Sequence, residues 1–522
     1  MSASTERKNR AAAREAGTDK KQLARQEAEK KAAKSKRRWT IGSILVALLL
    51  VAIILLNSGF LYKHTTAATA GDVKVSPVEL SYYYMNQYSN FVNQYGSYAS
   101  LFGLDTTQGV SSLGSQECAM LGDGQTWRDY FLQGALSSLQ QVTALGRYAE
   151  ANGISLDADE LAEIDSYLEN ATVSARLNGF SSLDNFLAAQ YGTGANARLI
   201  RSLITDSELA GKALDVYTDS LSFTDEELEE YYASLEGSSD LFDYDYFYVG
   251  AEKLPVEGAE GEDAETAVTE VTMLEARMTA EAIATAYRDG ADIEDLSERF
   301  AAAIEAEDDT ASPVQRRSTA GSGLGDLSEW LMDASRTAGD VTVQEDSANE
   351  GYYVAVFLSR DDNHYPTVSV RHILIQAEAD ADGNYSEEAK QAALDRINEI
   401  LAEFEATDRS EESFAALAEQ YSEDDGSNTN GGLYENIYKG QMVTEFNDFC
   451  FAEGRKSGDV GVVYGSNGGY AGYHLIYFVG EGELYSDVIA RSALVSTAQN
   501  DFLAEQTAPY ETALRYWAKL VG

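Results

Sequence analysis

Apolar residues recur along this chain with two different periods, and the switches between them divide it. Trp39 to Leu56 contains no charged residue, and about 20 apolar residues suffice to span a bilayer as a helix. Ser58 to Lys74 then reads as a short tether. From about Ser76 to Gly237 the spacing is helical. Trp127, Tyr130, Phe131, Leu136, Leu139, Val142, Leu145 and Tyr148 would share one face, and Gly153 ends that run. Asp157 and Thr224 are each followed by Glu three residues later, which predicts two capped helix starts. From Asp243 the period drops to two, with Tyr244, Tyr246 and Tyr248 alternating with Asp245 and Phe247. An acidic loop follows over roughly Glu257 to Thr269, then helical spacing from Glu275 to Ala303. A Gly-rich turn at Gly321 to Gly325 and a strand from Tyr352 to Leu358 close the unit.

The same order of elements then repeats. A strand (Val368 to Ile375), two helices (Ser386 to Phe404 and Ser413 to Tyr421) and a Gly-rich loop (Gly426 to Gly432) precede a helix near Phe446 and strands to Phe478. Laid end to end, Asp245-Tyr246-Phe247-Tyr248-Val249 falls on Arg371-His372-Ile373-Leu374-Ile375. Glu329-Trp330 falls on Glu445-Phe446, Ala338-Gly339-Asp340-Val341 on Ser457-Gly458-Asp459-Val460, and Gly351-Tyr352-Tyr353-Val354 on Gly472-Tyr473-His474-Leu475. This is an internal duplication. Both histidine positions of the second copy are tyrosine in the first. Asp487 to Leu520 is again helical by spacing, with Leu503, Tyr510, Leu514 and Trp517 as its apolar members. It is too short to fold alone, so it should pack on the N-terminal helical region.

Composition adds a compartment. At 522 residues the chain exceeds one hydrophobic core, so several domains are expected. Net charge is -47, but residues 1–38 carry 13 Lys/Arg against 5 Asp/Glu, a net of +8, which leaves -55 for the rest. A body so acidic should repel nucleic acid and anionic lipid. The basic flank before the apolar span places the N-terminus in the cytoplasm and the acidic body outside. Ala68-Thr69-Ala70 resembles a signal-peptide cleavage site, but it lies well beyond the end of a run that is long for a signal core. An uncleaved anchor is the favoured reading. Cys118 and Cys450 are no disulfide framework; two small apolar side chains are the simpler reading. The dense tyrosines Tyr82-Tyr83-Tyr84, Tyr88, Tyr95 and Tyr98 read first as core and rim, and second as an exposed cradle for unfolded chains.

Candidate chemistry concentrates in the second copy. His372 and His474, two of only 4 His in the chain, would sit on neighbouring strands within hydrogen-bonding reach, with Asp424 on a facing loop. Met442 and Phe446, four apart, would share a helix face and make an apolar slot bordered by Leu433. Two histidines and a carboxylate could imitate a metal site, but no further Cys, His or Glu gathers there and the slot would go unexplained. No Gly-x-Ser-x-Gly elbow lies near them. Two satisfied core histidines are the bland alternative.

The ordered set of Arg371-His372-Ile373-Leu374-Ile375, Phe414-Ala415 through Tyr421-Ser422, Gly431-Gly432-Leu433, Gly440-Gln441-Met442-Val443, Glu445-Phe446, Gly458-Asp459-Val460 and Gly472-Tyr473-His474-Leu475-Ile476 resembles the parvulin-type peptidyl-prolyl cis-trans isomerases. The wider layout resembles extracytoplasmic foldases of the PrsA/SurA type. That resemblance implies an α+β multidomain chain: a basic tail (1–38), a transmembrane helix (39–61), a helical chaperone domain (72–240), a degenerate parvulin-like domain (241–362), a parvulin domain (366–482) and a returning C-terminal helix (483–522). Each parvulin-like domain would be a small antiparallel sheet with surrounding helices. The resemblance further implies His372, Asp424 and His474 as catalytic residues, and Leu433, Met442 and Phe446 as the proline-ring site. It implies no cofactor and no metal, and unfolded or secreted polypeptides with X-Pro bonds as partners. The implied activity is that of a membrane-anchored foldase; a non-catalytic holdase or an envelope assembly factor is the alternative. Many parvulins carry a Ser or Thr hydroxyl shortly before the second histidine, where this chain runs Gly468-Gly469-Tyr470-Ala471-Gly472; Ser466 or Tyr470 would have to substitute. The loop from Gln376 to Tyr385 lacks the basic cluster that phospho-Ser/Thr-Pro selectivity needs.

Overall fold

The structure, a computed structural model, describes residues 2–15, 20–57, 59–122, 124–255, 266–301, 314–346, 348–381, 383–467 and 469–522. They form two units: Met1–Leu221 with Thr497–Gly522, and Ser222–Ser496.

The first unit is mainly helical. It begins with α1 (Ala3–Glu15), α2 (Lys20–Asn57) and α3 (Phe60–His64), then a strand pair, β1 (Ala68–Ala70) and β2 (Val73–Val75). Among the described residues, no helix is long and apolar enough to cross a membrane. The second half of the expected span 39–61 includes residues 51–57, whose side chains lie outside the described set, and residue 58, which lies wholly outside it. Three long helices follow, α4 (Pro77–Tyr95), α5 (Trp127–Asn152) and α6 (Ala158–Leu177), each opened by a capping box: Ser76 with Glu79, Thr126 with Asp129, Asp157 with Glu160. Each cap satisfies otherwise orphaned amides and is worth about 1 kcal/mol. α7 (Leu183–Tyr191) and α8 (Ala197–Asp219) complete the bundle. Its core is aromatic, with Phe91, Trp127 and Phe131 in contact at centroid distances of 4.9 to 5.8 Å. Tyr82, Tyr83 and Tyr84 are buried there, so these three serve the core.

The second unit starts with α9 (Asp225–Ser234), capped by Thr224 and Glu227 as its sequence predicts. The first copy comprises β3 (Leu241–Gly250), a minor pair β4 (Leu254–Pro255) and β5 (Thr266–Ala267), α10 (Glu270–Arg288), α11 (Ile293–Arg299), β6 (Gln315–Ala320), α12 (Ser328–Leu331), β7 (Val341–Asp346) and β8 (Gly351–Asp361). Residues 257–265 of the acidic loop, and residues 302 and 303 of the helix expected there, lie outside the described set. The second copy comprises β9 (Pro366–Gln376), α13 (Glu387–Glu405), α14 (Glu411–Tyr421), β10 (Leu433–Ile437), α15 (Thr444–Cys450), β11 (Val460–Asn467) and β12 (Tyr470–Leu484).

The sheet orders are β6-β3-β8-β7 and β10-β9-β12-β11, all antiparallel, so the copies correspond strand for strand. Register agrees as well. Tyr246 faces Ala355 and Tyr248 faces Tyr353 in the first sheet; His372 faces Ile476 and Leu374 faces His474 in the second. Even a loop closure repeats: Phe357 N–H donates to Asp340 O at 2.9 Å, and Phe478 N–H to Asp459 O at 2.9 Å. In the second copy the alternation of β9 sends Ile373 and Ile375 toward Ile397, Ile400, Phe404 and Phe414 of the two long helices, while Val370 joins Ile437, Phe446, Ile476 and Phe478 on the opposite face. That second face is the one that carries His372.

The chain then returns. α16 (Tyr485–Thr507) ends before Pro509, whose ring disfavours a helical residue ahead of it. The expectation of one helix to Leu520 is therefore corrected: β13 (Thr512–Leu514) follows, Tyr510 and Leu514 are not helical, and Trp517 lies in a separate 3-10 turn, Tyr516–Leu520. β13 pairs with β1, Ala68 opposite Leu514, and β1 is the central strand of the order β13-β1-β2. The tether expected over Ser58 to Lys74 is likewise corrected. Ala67, Ala68 and Ala70 are fully buried, so small residues that resemble a cleavage site serve strand packing. Phe502 packs with Leu145, Ala149, Ala210 and Ala213, as expected of a returning helix. Cys118 and Cys450 are free and buried in different cores, and burial pushes the Cys450 thiol up to about 12.

Candidate active site

β9 and β12 are adjacent, so His372 and His474 project from neighbouring strands on one face of the sheet. Their Nδ1 atoms lie 3.2 Å apart. Both rings pack edge-on against Phe446 from α15, at centroid distances of 5.6 and 5.3 Å. His474 fits because position 465 of β11 is glycine: a Cβ there would come within 2.6 Å of His474 Nε2.

Asp424 lies on the loop after α14, pinned to the sheet by two bonds: Leu374 N–H donates to Ser422 Oγ at 3.2 Å, and Glu423 N–H to Leu374 O at 2.9 Å. The loop closes through Gly431 and Gly432, both left-handed at φ 71° and 72°. His372 N–H donates to Gly432 O at 2.8 Å. A side chain on Gly432 would run into the His372 carbonyl, so the backbone approach requires glycine.

With His372 neutral, one tautomer assignment satisfies every contact. Asp424 is a carboxylate, so His372 Nε2–H donates to Asp424 Oδ2 at 3.0 Å. His372 Nδ1 then accepts from His474 Nδ1–H, and His474 Nε2 accepts from the Tyr470 hydroxyl at 3.0 Å. Ser427 and Tyr434 also donate to Asp424, the latter at 3.1 Å. The result is a directed row, Tyr470 to His474 to His372 to Asp424. The His372 hydrogen bond, aided by Ser427 and Tyr434 against the opposing effect of burial, holds the Asp424 carboxyl well below the usual carboxylate range. Burial first, then repulsion from His372, pull His474 down to about 3 despite the opposing Asp424 charge, so its ring is neutral near pH 7.

Residues from this row line a cleft of about 560 Å³, together with Met442, Val443 and Phe446. Met442 lies in the turn before α15, so it does not share a helix face with Phe446 as its spacing suggests; both still face the cleft. Leu433 does not line it. Leu433 pairs with Arg371 and so shares that residue's face, opposite His372; Tyr434, paired with Val370, takes the His372 face instead. Ser427 is fully buried and bonds the same His372 nitrogen as Asp424, so it has neither the access nor the relay geometry of a nucleophile. Tyr470 supplies the hydroxyl that the glycine-rich run before His474 left open, while Ser466 is exposed at the strand end. Sequence reasoning missed Tyr434 and Ser427; strand parity identifies the first only once the β9–β10 register is known.

Residues 354–479 match the family described as PPIC-type PPIASE domain. The second sheet and its helices form a parvulin-type domain. Over 125 residues the chain is 34% identical to foldase protein PrsA 3 of Bacillus anthracis, covering 24% of this chain and 35% of that protein. The chain thus spans about a third of the length of the curated relative it matches. Among solved structures, the peptidylprolyl isomerase PrsA of Bacillus cereus shares 29% identity over 28% of this chain and 49% of its own, with a TM-score of 0.17. Foldase protein PrsA of Streptococcus pneumoniae shares 12% identity over 74% of this chain and 91% of its own, with a TM-score of 0.23.

The first copy lacks the parvulin site. Tyr246 and Tyr353 take the two histidine positions, with centroids 5.6 Å apart. Asp346, at the position equivalent to Gly465, hydrogen-bonds to Tyr353 and to the Ala348 and Asn349 amides, and fills the space that Gly465 leaves free.

Proposed function

We propose that the protein is a peptidyl-prolyl cis-trans isomerase and chaperone that assists the folding of secreted polypeptides. In this reading the apolar segment within residues 39–61 anchors it in the cell membrane, the N-terminus cytoplasmic and the body extracellular. The directed row over Phe446 carries the enzymatic part: a buried imidazole pair locked against a carboxylate, beside an apolar floor, has no nucleophile to offer and a shaped cleft. The uncharged stretch from Trp39 to Leu56, its basic flank, and the outward-facing Leu45, Leu48 and Leu49 support the anchor. Similarity to a foldase supports polypeptides as substrates.

Rotation about an X-Pro amide must cross a barrier of roughly 18–20 kcal/mol, because twisting removes amide resonance. A site that favours the twisted state lowers it. Phe446 and Met442 receive the prolyl ring and exclude water from the amide. The Asp424 carboxylate sits where the substrate carbonyl approaches, and its charge disfavours the resonance form with negative oxygen. His372 and His474 hold Asp424 in place and ionised. No bond is made or broken, and no cofactor is needed.

A protease-coupled proline-peptide assay tests this. The full chain should accelerate isomerisation, and His474→Ala should lower turnover by at least about tenfold, the loss of about 1.4 kcal/mol of transition-state stabilisation. Absence of turnover in the native full chain, with client binding retained, favours a holdase instead.

A further inference from the structure

The helical unit holds a cavity of its own, about 510 Å³, lined by α4, α6, α8 and the end of α7. That volume is typical of ligand sites. Its wall is aromatic: Tyr82 and Tyr191 lie 5.4 Å apart between centroids, and Tyr167 hydrogen-bonds to Tyr191. Glu163, Glu208 and Asp215 also line it, and none has an ion-pair partner among the described residues. The cation in the lining, Lys212, is already held by Glu160 at 2.6 Å and Asp157 at 3.8 Å. Uncompensated negative charge therefore faces the same space as three tyrosine rings, and a cation over aromatic faces gains from both.

Gly211 points the same way. It lies inside α8, where glycine weakens a helix relative to alanine and close packing is the usual reason to keep it. Here a Cβ would meet nothing within 4 Å. No neighbour demands the glycine; its missing side chain keeps the cavity open.

We infer that this cavity binds the cationic side chain of a lysine or arginine presented by an extended polypeptide. The methylene stem lies along the tyrosine rings and the charged end among Glu163, Glu208 and Asp215. An anion would be repelled, and a bare metal ion would leave the aromatic wall unused. That the carrier is a polypeptide rests on the foldase reading; the choice of a cation does not.

The test uses the full chain in detergent micelles and a labelled, proline-free peptide with one central lysine, read by fluorescence anisotropy. The same peptide with norleucine, which keeps the stem and loses the charge, is the comparison. The lysine peptide should bind at least about tenfold more tightly, and added salt should erode the difference. Gly211→Phe should abolish the preference, as should Glu208→Gln with Asp215→Asn, a pair that leaves the volume unchanged. Glu388→Gln with Glu419→Gln, a charge-matched change in the parvulin domain, should leave it intact. Proline-peptide turnover, measured on the same samples, should be unaffected by the cavity variants; absent turnover would count against the foldase reading alone. Equal affinity for the lysine and norleucine peptides overturns the cation site. So does equal loss of preference in the control pair, or binding of spermidine without binding of the peptide.

Discussion

Protonation of His474 is opposed by burial and by the imidazole opposite it, and this makes the parvulin domain acid-sensitive in a definable window. An unperturbed histidine titrates near 6.5, whereas His474 is pulled down to about 3. Between those values the unfolded chain takes up a proton that the folded domain refuses. This stability is fully present above about pH 6.5 and is lost as pH falls toward 3, by at most about 1.4 kcal/mol per pH unit. Asp424, with its lowered pKa, acts in a lower window: its contribution is present above about pH 4 and lost below. Calorimetry between about pH 7 and pH 5 should therefore show a larger drop in the unfolding midpoint of the native domain than of His474→Gln. Equal drops would contradict the refused proton. At the same scale, Asp424→Ala should cut isomerase turnover by about tenfold or more; unchanged turnover would remove its electrostatic role. Gly465→Ala should displace the His474 ring and lower turnover while the sheet persists, visible as lost activity with native circular dichroism.

Elements show what periodicity can and cannot carry. The alternation around Tyr246 and His372 and the capping pairs at Asp157 and Thr224 are legible because each depends on neighbours close in sequence, and the duplication is legible because the order of such local patterns repeats. Parity across strands was not. Leu433 and Tyr434 are adjacent, and only the pairing of β10 with β9 decides which one meets His372. Tyr434→Phe should lower turnover by removing a donor to Asp424, whereas Leu433→Ala should leave kcat and KM for a proline peptide nearly unchanged. The reverse ranking would place Leu433 in the cleft. The four-residue spacing of Met442 from Phe446 suits a helix, but the helix begins only at Thr444. Apolar spacing alone does not register Pro509, which stops the last helix, and the small residues at Ala68 to Ala70 read as part of a tether because their strand partner lies far away in the chain.

For the whole molecule, the duplication supplies its own control. Both copies share topology and register, yet only one holds the histidine row, so catalysis does not follow from the fold. The first copy has Asp346 where the second has Gly465, and two tyrosines where it has imidazoles. The full chain carrying His474→Ala should retain no more than about a tenth of its turnover; a larger residue would mean that the first copy isomerises after all.

The pairing of Ala68 with Leu514 has a consequence for how the chain is made. A strand near the front must wait for one 446 residues later before its second edge is covered. Closing so long a loop is costly and slow compared with local helix formation. During synthesis from the N-terminus, the second unit, Ser222–Ser496, can fold while β1 still lacks that partner. The last strand therefore acts as a completion signal: until it arrives, the helical unit has an open sheet edge of its own.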